Sequence, residues 1–121
     1  MTNVLVIDDD AMIRRMAGFM MKKLGCNALT AASGEEGISL LGSETVGLII
    51  IDVEMPGMNG FETLSKIREN AAFAAIPACM MTGTLDDSVR EKAAQLGASD
   101  CLEKPLAVPE VQNVLRRNGV I

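Results

Sequence analysis

LIIIDVEMPGMNG, residues 48–60, is the stretch around which the rest of the chain is arranged. Its four consecutive aliphatic residues, 48–51, predict a strand that is buried on both faces, which is typical of a parallel sheet covered by helices. Asp52 ends that strand, and the Met-Pro-Gly and Asn-Gly sequences that follow are turn signals. A carboxylate at such a point lies where open α/β sheets bind their ligands, so Asp52 is the first candidate site residue. A helix cap is the alternative role, but Asn59 lies closer to the next helix.

The composition is that of a small acidic domain. With 121 residues, 49% of them apolar, the chain is long enough for one domain with a sizeable core. Its net charge of −5 argues against nucleic-acid binding, and no apolar run approaches the roughly eighteen residues that cross a bilayer. The N-terminus lacks the basic flank and cleavage site of a signal peptide, so we expect no membrane insertion and a cytoplasmic location. The three cysteines have no CxxC spacing and are expected to be buried, reduced thiols.

The absence of histidine limits the chemistry that the chain can perform. It excludes Ser-His-Asp and Cys-His catalysis, histidine metal ligands and a role as a phosphohistidine donor. Any acid–base chemistry must therefore use carboxylates or lysine.

Apolar periodicity predicts five strand–helix units. Strands are expected at residues 3–7, 27–31, 47–51, 77–81 and 98–102, each followed by apolar residues at helical spacing. Ser33 and Glu36 have the spacing of a capping box, Leu85 opens the apolar pattern of the fourth helix, and Pro109 suits the first turn of the last. Alternating strands and helices predict a doubly wound, parallel α/β sheet in a single domain, 1–121, with no output domain.

Polar side chains follow four of the predicted strands. They are Asp8 and Asp9 after the first strand, Asp52 after the third, Thr82 after the fourth and Lys104 after the fifth. Because parallel strands place their carboxyl ends at one edge of the sheet, the fold is expected to gather these side chains. Clustered carboxylates raise one another's pKa unless a cation intervenes, and an oxygen-only ligand set indicates Mg²⁺. A carboxylate beside Mg²⁺ can attack a phosphoryl group, and Asp52 is the best candidate nucleophile.

Each of these residues also has a purely structural interpretation. Asp9 or Asp10 can cap a helix, Thr82 can form a turn, and Lys104 can be a solvated surface charge. The agreement of four strand ends favours a functional site.

Four motifs occur in order along the chain. They are VIDD at 6–9, IIDVEMPGMNG at 50–60, MTG at 81–83 and EKP at 103–105. Together they resemble the receiver domain of two-component response regulators, a likeness that extends from about residue 3 to residue 117. The resemblance implies a flavodoxin-like (βα)5 fold with strand order 2-1-3-4-5. It also implies a stand-alone signalling module rather than an enzyme, acting in a phosphorelay.

The partners follow from the same resemblance. A sensor histidine kinase or a histidine phosphotransfer protein would supply the phosphoryl group, and an unidentified downstream protein would read the phosphorylated form. Dimerisation on phosphorylation is left open.

The resemblance assigns roles to the acidic residues. Asp52 would be the phosphoacceptor. Asp9, Asp52 and the backbone carbonyl of Glu54 would bind Mg²⁺, with Asp8 acting through a water molecule bound to the metal. The peptide bond before Pro105 would be cis.

The resemblance also makes Thr82 the switch hydroxyl and Lys104 the phosphate-binding lysine. The family often carries an aromatic residue or histidine three positions before that lysine, where this chain has Cys101. A cysteine side chain is too small to reproduce the rotamer change of an aromatic ring. We therefore expect the signal to pass through movement of the loop after Thr82 and repacking near the fourth helix. Asp10 and Glu54 add acidity beside the site, and we expect them to raise the metal requirement or hasten loss of the phosphoryl group.

Two other functions remain open. Residues 8–10 fit the D-x-D motif of haloacid-dehalogenase-like phosphatases, with Asp8 as nucleophile and Asp10 as acid/base, but that interpretation leaves Asp52 unexplained and lacks a cap domain. A pseudo-receiver scaffold would keep the fold and never use phosphate. A flavodoxin-type FMN site is disfavoured, because the acidic run would repel a phosphate.

Overall fold

The structure is a computed structural model that describes residues 1–121 as five strand–helix units. The strands are β1 (Asn3–Ile7), β2 (Asn27–Ala31), β3 (Leu48–Asp52), β4 (Ala78–Thr82) and β5 (Asp100–Glu103). The helices are α1 (Ala11–Lys23), α2 (Gly34–Ser43), α3 (Gly60–Glu69), α4 (Asp87–Gln95) and α5 (Val108–Arg117). None of these helices combines the length and the apolarity that crossing a bilayer requires.

All five strands are parallel, and they pair in the order β2-β1-β3-β4-β5. This order confirms the predicted doubly wound, flavodoxin-like α/β fold. Every residue of β3 and β4 is buried, because helices cover both faces of the sheet. Alternate strand residues enter two separate cores: Val6 and Ile50 pack with α1 and α5, and Leu5 and Ile51 pack with α2, α3 and α4.

The last three strands begin and end one or two residues later than predicted, and the physical cause is clear at three element starts. β5 begins at Asp100 rather than at residue 98, because Gly97 ends the preceding helical turn at φ +88° and the chain is still reversing there. α4 begins after Leu85, since the side chain of Asp86 accepts a hydrogen bond from the third helical N–H and so caps the helix. Pro77 has no N–H to donate, and β4 begins one residue after it.

The helix caps differ from the prediction in one detail. Ser33 accepts a hydrogen bond from the N–H of Glu36, but the Glu36 carboxylate accepts one from the N–H of Ala32, so the reciprocal half of the predicted capping box is not formed. The complete capping box belongs to Asn59 and Glu62 at the start of α3. This cap fixes the beginning of α3 beside the end of β3, where the candidate site lies.

Candidate functional site

The carboxyl ends of β1, β3, β4 and β5 bring the predicted site residues to one edge of the sheet. Asp8, Asp52 and Thr82 are at most 1% exposed, whereas Asp9 lies in solvent. One carboxylate oxygen from each of the three aspartates lies within 4.8 Å of the others. Gly60 at the start of α3 approaches the end of β3 so closely that a Cβ there would collide with the backbone carbonyl of Asp52.

Lys104 supplies the cation of the site. Its Nζ lies 2.9 Å from Oδ2 of Asp8 and 3.1 Å from Oδ1 of Asp52. Burial by itself would lower the pKa of Lys104, but its close contacts with the carboxylates of Asp8 and Asp52 outweigh that effect, so the net pKa is raised and the ammonium stays charged. The peptide bond between Lys104 and Pro105 is cis, as the resemblance implied.

The two oxygens of Asp8 have different surroundings. Oδ1 accepts a hydrogen bond of 2.8 Å from the N–H of Asp10, whereas Oδ2 contacts Lys104 by charge alone and accepts no well-directed hydrogen bond. Arg14, which the sequence analysis did not single out, donates to the backbone carbonyl of Asp8 at 2.8 Å. Asp10 caps α1 by accepting from the N–H of Met12, which is the structural role that the sequence allowed for it.

Asp52 is a buried carboxylate with a raised pKa. Burial is the main cause, the hydrogen bond from Lys104 opposes it, and the charge of Asp8 raises it further, giving a pKa of about 6. The N–H of Glu54 lies 3.4 Å from Oδ1 of the same carboxylate. At pH 7 Asp52 is therefore mostly ionised, as a nucleophile must be.

The charges of the site fit a hard divalent cation. Asp8, Asp9 and Asp52 carry three negative charges and Lys104 carries one positive charge, which leaves a net charge of −2. The ligand atoms are all oxygens, and Oδ2 of Asp8 accepts no well-directed hydrogen bond. Such a donor set suits Mg²⁺.

Thr82 makes a contact that the sequence analysis did not foresee. Its Oγ1 donates a hydrogen bond to Oε1 of Glu54 and accepts one of 3.2 Å from the N–H of Thr84. Glu103 reaches the same loop, since its carboxylate accepts a hydrogen bond of 2.8 Å from the N–H of Leu85. The sequence signal for the first contact was the acidic residue two positions after Asp52.

The cysteines are free thiols, as expected, although only two of them are buried. Cys26 and Cys79 lie in the core beneath α1 and α5, where burial raises both pKa values and keeps the thiols protonated. Cys101 is half-buried on β5, beside a groove of about 480 Å³ between the loop at Leu85 and α5.

Comparison with known proteins adds independent information. The family model for the response regulator receiver domain matches residues 4–116. The chain is 30% identical over 113 residues to protein PilG of Pseudomonas aeruginosa, covering 93% of this chain and 84% of PilG. It is 33% identical over 123 residues to the CpxR transcriptional regulatory protein homolog of Haemophilus influenzae, covering 98% of this chain and 52% of the relative. The chain thus spans about half the length of the second relative.

Solved structures agree with the family match. The chemotaxis protein CheY4 of Vibrio cholerae superposes with a TM-score of 0.92 at 30% identity, over 97% of this chain and 98% of that chain. A CheY-like receiver domain protein of Methanospirillum hungatei superposes with a TM-score of 0.86 at 22% identity, over 97% and 92%, and supports the fold alone. The fold, the order of the motifs and the match over residues 4–116 agree, and the chain belongs to the response regulator receiver domain family.

Proposed function

We propose that the protein accepts a phosphoryl group on Asp52 and that this modification changes the surface it offers to another protein. The receiver family is a phosphoacceptor signalling family, and this chain belongs to it. The observation that carries the residue assignment is the position of the Lys104 ammonium, which lies between the buried carboxylates of Asp8 and Asp52. A solvated surface lysine would not make these contacts.

The proposed reaction begins with attack by a carboxylate oxygen of Asp52 on the phosphorus of a phosphohistidine in a partner protein. The N–P bond breaks, the imidazole leaves, and an acyl phosphate forms on Asp52. Asp8, Asp9, Asp52 and the carbonyl of Glu54 would hold Mg²⁺, which when bound neutralises charge on the transferring oxygens. The partner must supply the histidine, because this chain has none.

Lys104 and Thr82 act on the product. The ammonium of Lys104 keeps its contact with Asp8 and turns from the Asp52 carboxylate to a phosphoryl oxygen, so that the added negative charge is paired. The hydroxyl of Thr82 donates a hydrogen bond to a second phosphoryl oxygen. To do so it must first break its hydrogen bond to Glu54.

The output surface is proposed to include the loop after Thr82 and α4. Ala93 is the one buried residue of α4, so few core contacts hold this helix in place and a small movement of it costs little. A shift of Thr82 would also disturb Leu85, whose N–H is held by Glu103. The protein is proposed to act in the cytoplasm, where a sensor histidine kinase or a histidine phosphotransfer protein is the donor and a downstream protein reads the phosphorylated form. Self-dephosphorylation, in which water hydrolyses the acyl phosphate and releases inorganic phosphate, returns Asp52 to the carboxylate.

Acetyl phosphate with Mg²⁺ tests the proposal. Wild type is expected to gain one phosphoryl group in intact mass spectra, with the adduct mapped to Asp52. D52N should gain none, D9N should react slowly and need more Mg²⁺, and the matched surface variant D87N should behave as wild type. An adduct on Asp8 would favour the phosphatase interpretation, and no adduct on wild type would favour the pseudo-receiver scaffold.

A further inference from the structure

Thr82 donates its hydroxyl hydrogen to a carboxylate that lies outside the proposed metal site. The acceptor is Oε1 of Glu54, two residues after Asp52, and the contact joins the end of β4 to the loop after β3. Thr82 is 1% exposed, whereas the remainder of the Glu54 side chain lies in solvent. An exposed carboxylate, that of Glu54, therefore sets the orientation of the buried hydroxyl of Thr82.

A threonine hydroxyl has one proton and can direct it to one acceptor at a time. In the resting structure the closer acceptor is Oε1 of Glu54, and the carbonyl oxygen of Thr84, at 3.3 Å, is the more distant one. A phosphoryl group on Asp52 would need the same proton, because its oxygens are acceptors only. The two acceptors therefore compete, and the stronger the contact with Glu54, the less the phosphoryl group can gain from Thr82.

The hydroxyl is also fixed by its other neighbours. The N–H of Thr84 donates to Oγ1 of Thr82 at 3.2 Å, so rotation of the Thr82 side chain away from Glu54 alters the start of the loop that leads to α4. Release of Thr82 from Glu54 and movement of this loop are thus parts of one event.

We propose that Glu54 is a positioning residue that holds Thr82 in the resting orientation and thereby opposes the phosphorylated conformation. This inference rests on the proposed function, because it assigns a regulator to the same phosphoacceptor site. Glu54 acts through Thr82, and its side chain is separate from the backbone carbonyl assigned to the metal. A ligand that gains from Thr82 must break the Glu54 contact, so its affinity is reduced by the strength of that contact.

Substitution can separate the hydrogen bond from the charge of Glu54. E54Q removes the charge but keeps an oxygen that accepts from Thr82, whereas E54A removes both. We therefore compare binding of fluoroberyllate, a phosphoryl mimic, to the two variants at saturating Mg²⁺, with NMR detection because the chain has no Trp or Tyr. E54A is expected to bind about three- to tenfold more tightly than E54Q, the range for one net hydrogen bond.

A double-mutant cycle identifies the residue through which Glu54 acts. T82V keeps the shape of Thr82 and removes its hydroxyl, so E54A and E54Q should bind fluoroberyllate equally in the T82V background. The matched control is E103Q, which weakens the contact to the Leu85 N–H in the same loop without touching Thr82. E103Q should change the affinity less than twofold.

The resting protein provides a readout that needs no phosphoryl group. Without Mg²⁺ or fluoroberyllate, E54A should shift the side-chain NMR signals of Thr82, and E54Q and E103Q should leave them close to wild type. The inference is overturned if E54A and E54Q bind fluoroberyllate with equal affinity when Thr82 is present, or if the ratio of their affinities is unchanged in the T82V background. It is also overturned if E103Q raises the affinity as much as E54A does. Wild type that binds no fluoroberyllate would instead overturn the proposed function, and the Thr82 signals would still test the contact.

Discussion

Replacement of Asp52 by asparagine is expected to make the metal-free protein more stable, although it removes the proposed phosphoacceptor. Asp52 is 1% exposed, and its pKa rises from 3.8 to about 6, chiefly because it is buried. A difference of about 2 pKa units at 1.36 kcal/mol per unit means that ionisation disfavours the folded state by about 3 kcal/mol at pH 7. Asparagine keeps the shape without the charge, and Lys104 keeps its contact with Asp8. We expect the free energy of unfolding to rise by about 1–3 kcal/mol.

The gain should depend on pH in a definite direction. Because the folded pKa of Asp52 lies above its unfolded value, protonation stabilises the folded state; this stabilisation is fully present below pH 3.8 and is lost as the pH rises through about 6. Wild type therefore recovers stability relative to D52N as the pH falls. The difference between the two proteins should shrink to about half between pH 7 and pH 5.

Urea unfolding in EDTA, followed by far-ultraviolet circular dichroism, measures this effect in a chain without Trp or Tyr. The matched control is D9N, which removes a solvent-exposed carboxylate of the same cluster and should change the free energy of unfolding by only about 0.5 kcal/mol. The reasoning is refuted if D52N is no more stable than wild type at pH 7, or if the difference does not shrink at pH 5.

Three further predictions concern the residues that hold the site and its helices. Lys104→Met should lower the free energy of unfolding by about 1–3 kcal/mol in urea, less than for a fully buried ion because the side chain is 22% exposed, and Mg²⁺ should restore part of the loss. Gly60→Ala should lower the free energy of unfolding by about 1–3 kcal/mol, because the added Cβ collides with the backbone. Gly18→Ala should raise the free energy of unfolding by about 0.5–1 kcal/mol, since no atom lies within 4 Å of the added Cβ and alanine favours the helix. Thermal unfolding tests both variants. Arg68→Met removes hydrogen-bond donors to three backbone carbonyls and should lower the free energy of unfolding by about 1–3 kcal/mol. Backbone amides in the loop after α3 should then exchange faster with solvent.

The sequence predicted the fold where the physical signal was strong. Residues 48–51 are aliphatic without interruption, and β3 ends at Asp52 as expected. At β5 the signal was weak, because the residues around Ala98 are small or polar and Leu102 is the one buried residue of the strand, and the predicted strand began two residues early. Strand pairing fixes that boundary, since Cys79 on β4 aligns with Asp100, and a single sequence does not contain this register.

The candidate site was predictable to the level of which side chains meet, but not to the level of which atoms bind. Parallel topology places Asp8, Asp52 and Lys104 at one edge of the sheet, and the structure has them in contact. The hydrogen bond from Thr82 to Glu54 depends on side-chain rotamers in a loop, for which the chain carries no periodic signal. The order of strands and polar residues in the sequence therefore predicts which residues form the site. The hydrogen bonds that they make in the resting protein can be assigned only from the structure.

The same unbalanced charge accounts for both the low stability and the proposed reactivity of this site. Two buried carboxylates share one ammonium, a third carboxylate lies within 4.8 Å of them, and Asp52 is ionised at pH 7 even though ionisation disfavours folding. A divalent cation would offset this free-energy cost, so the same unpaired negative charge lowers the stability of the metal-free protein and raises its affinity for the metal. A phosphoryl group then adds negative charge that Lys104 can pair, but it can use Thr82 only after that hydroxyl leaves Glu54. The side chain that opposes phosphorylation thus lies two residues from the acceptor but outside the proposed metal site, and substitution at Glu54 should change the switch without removing the acceptor.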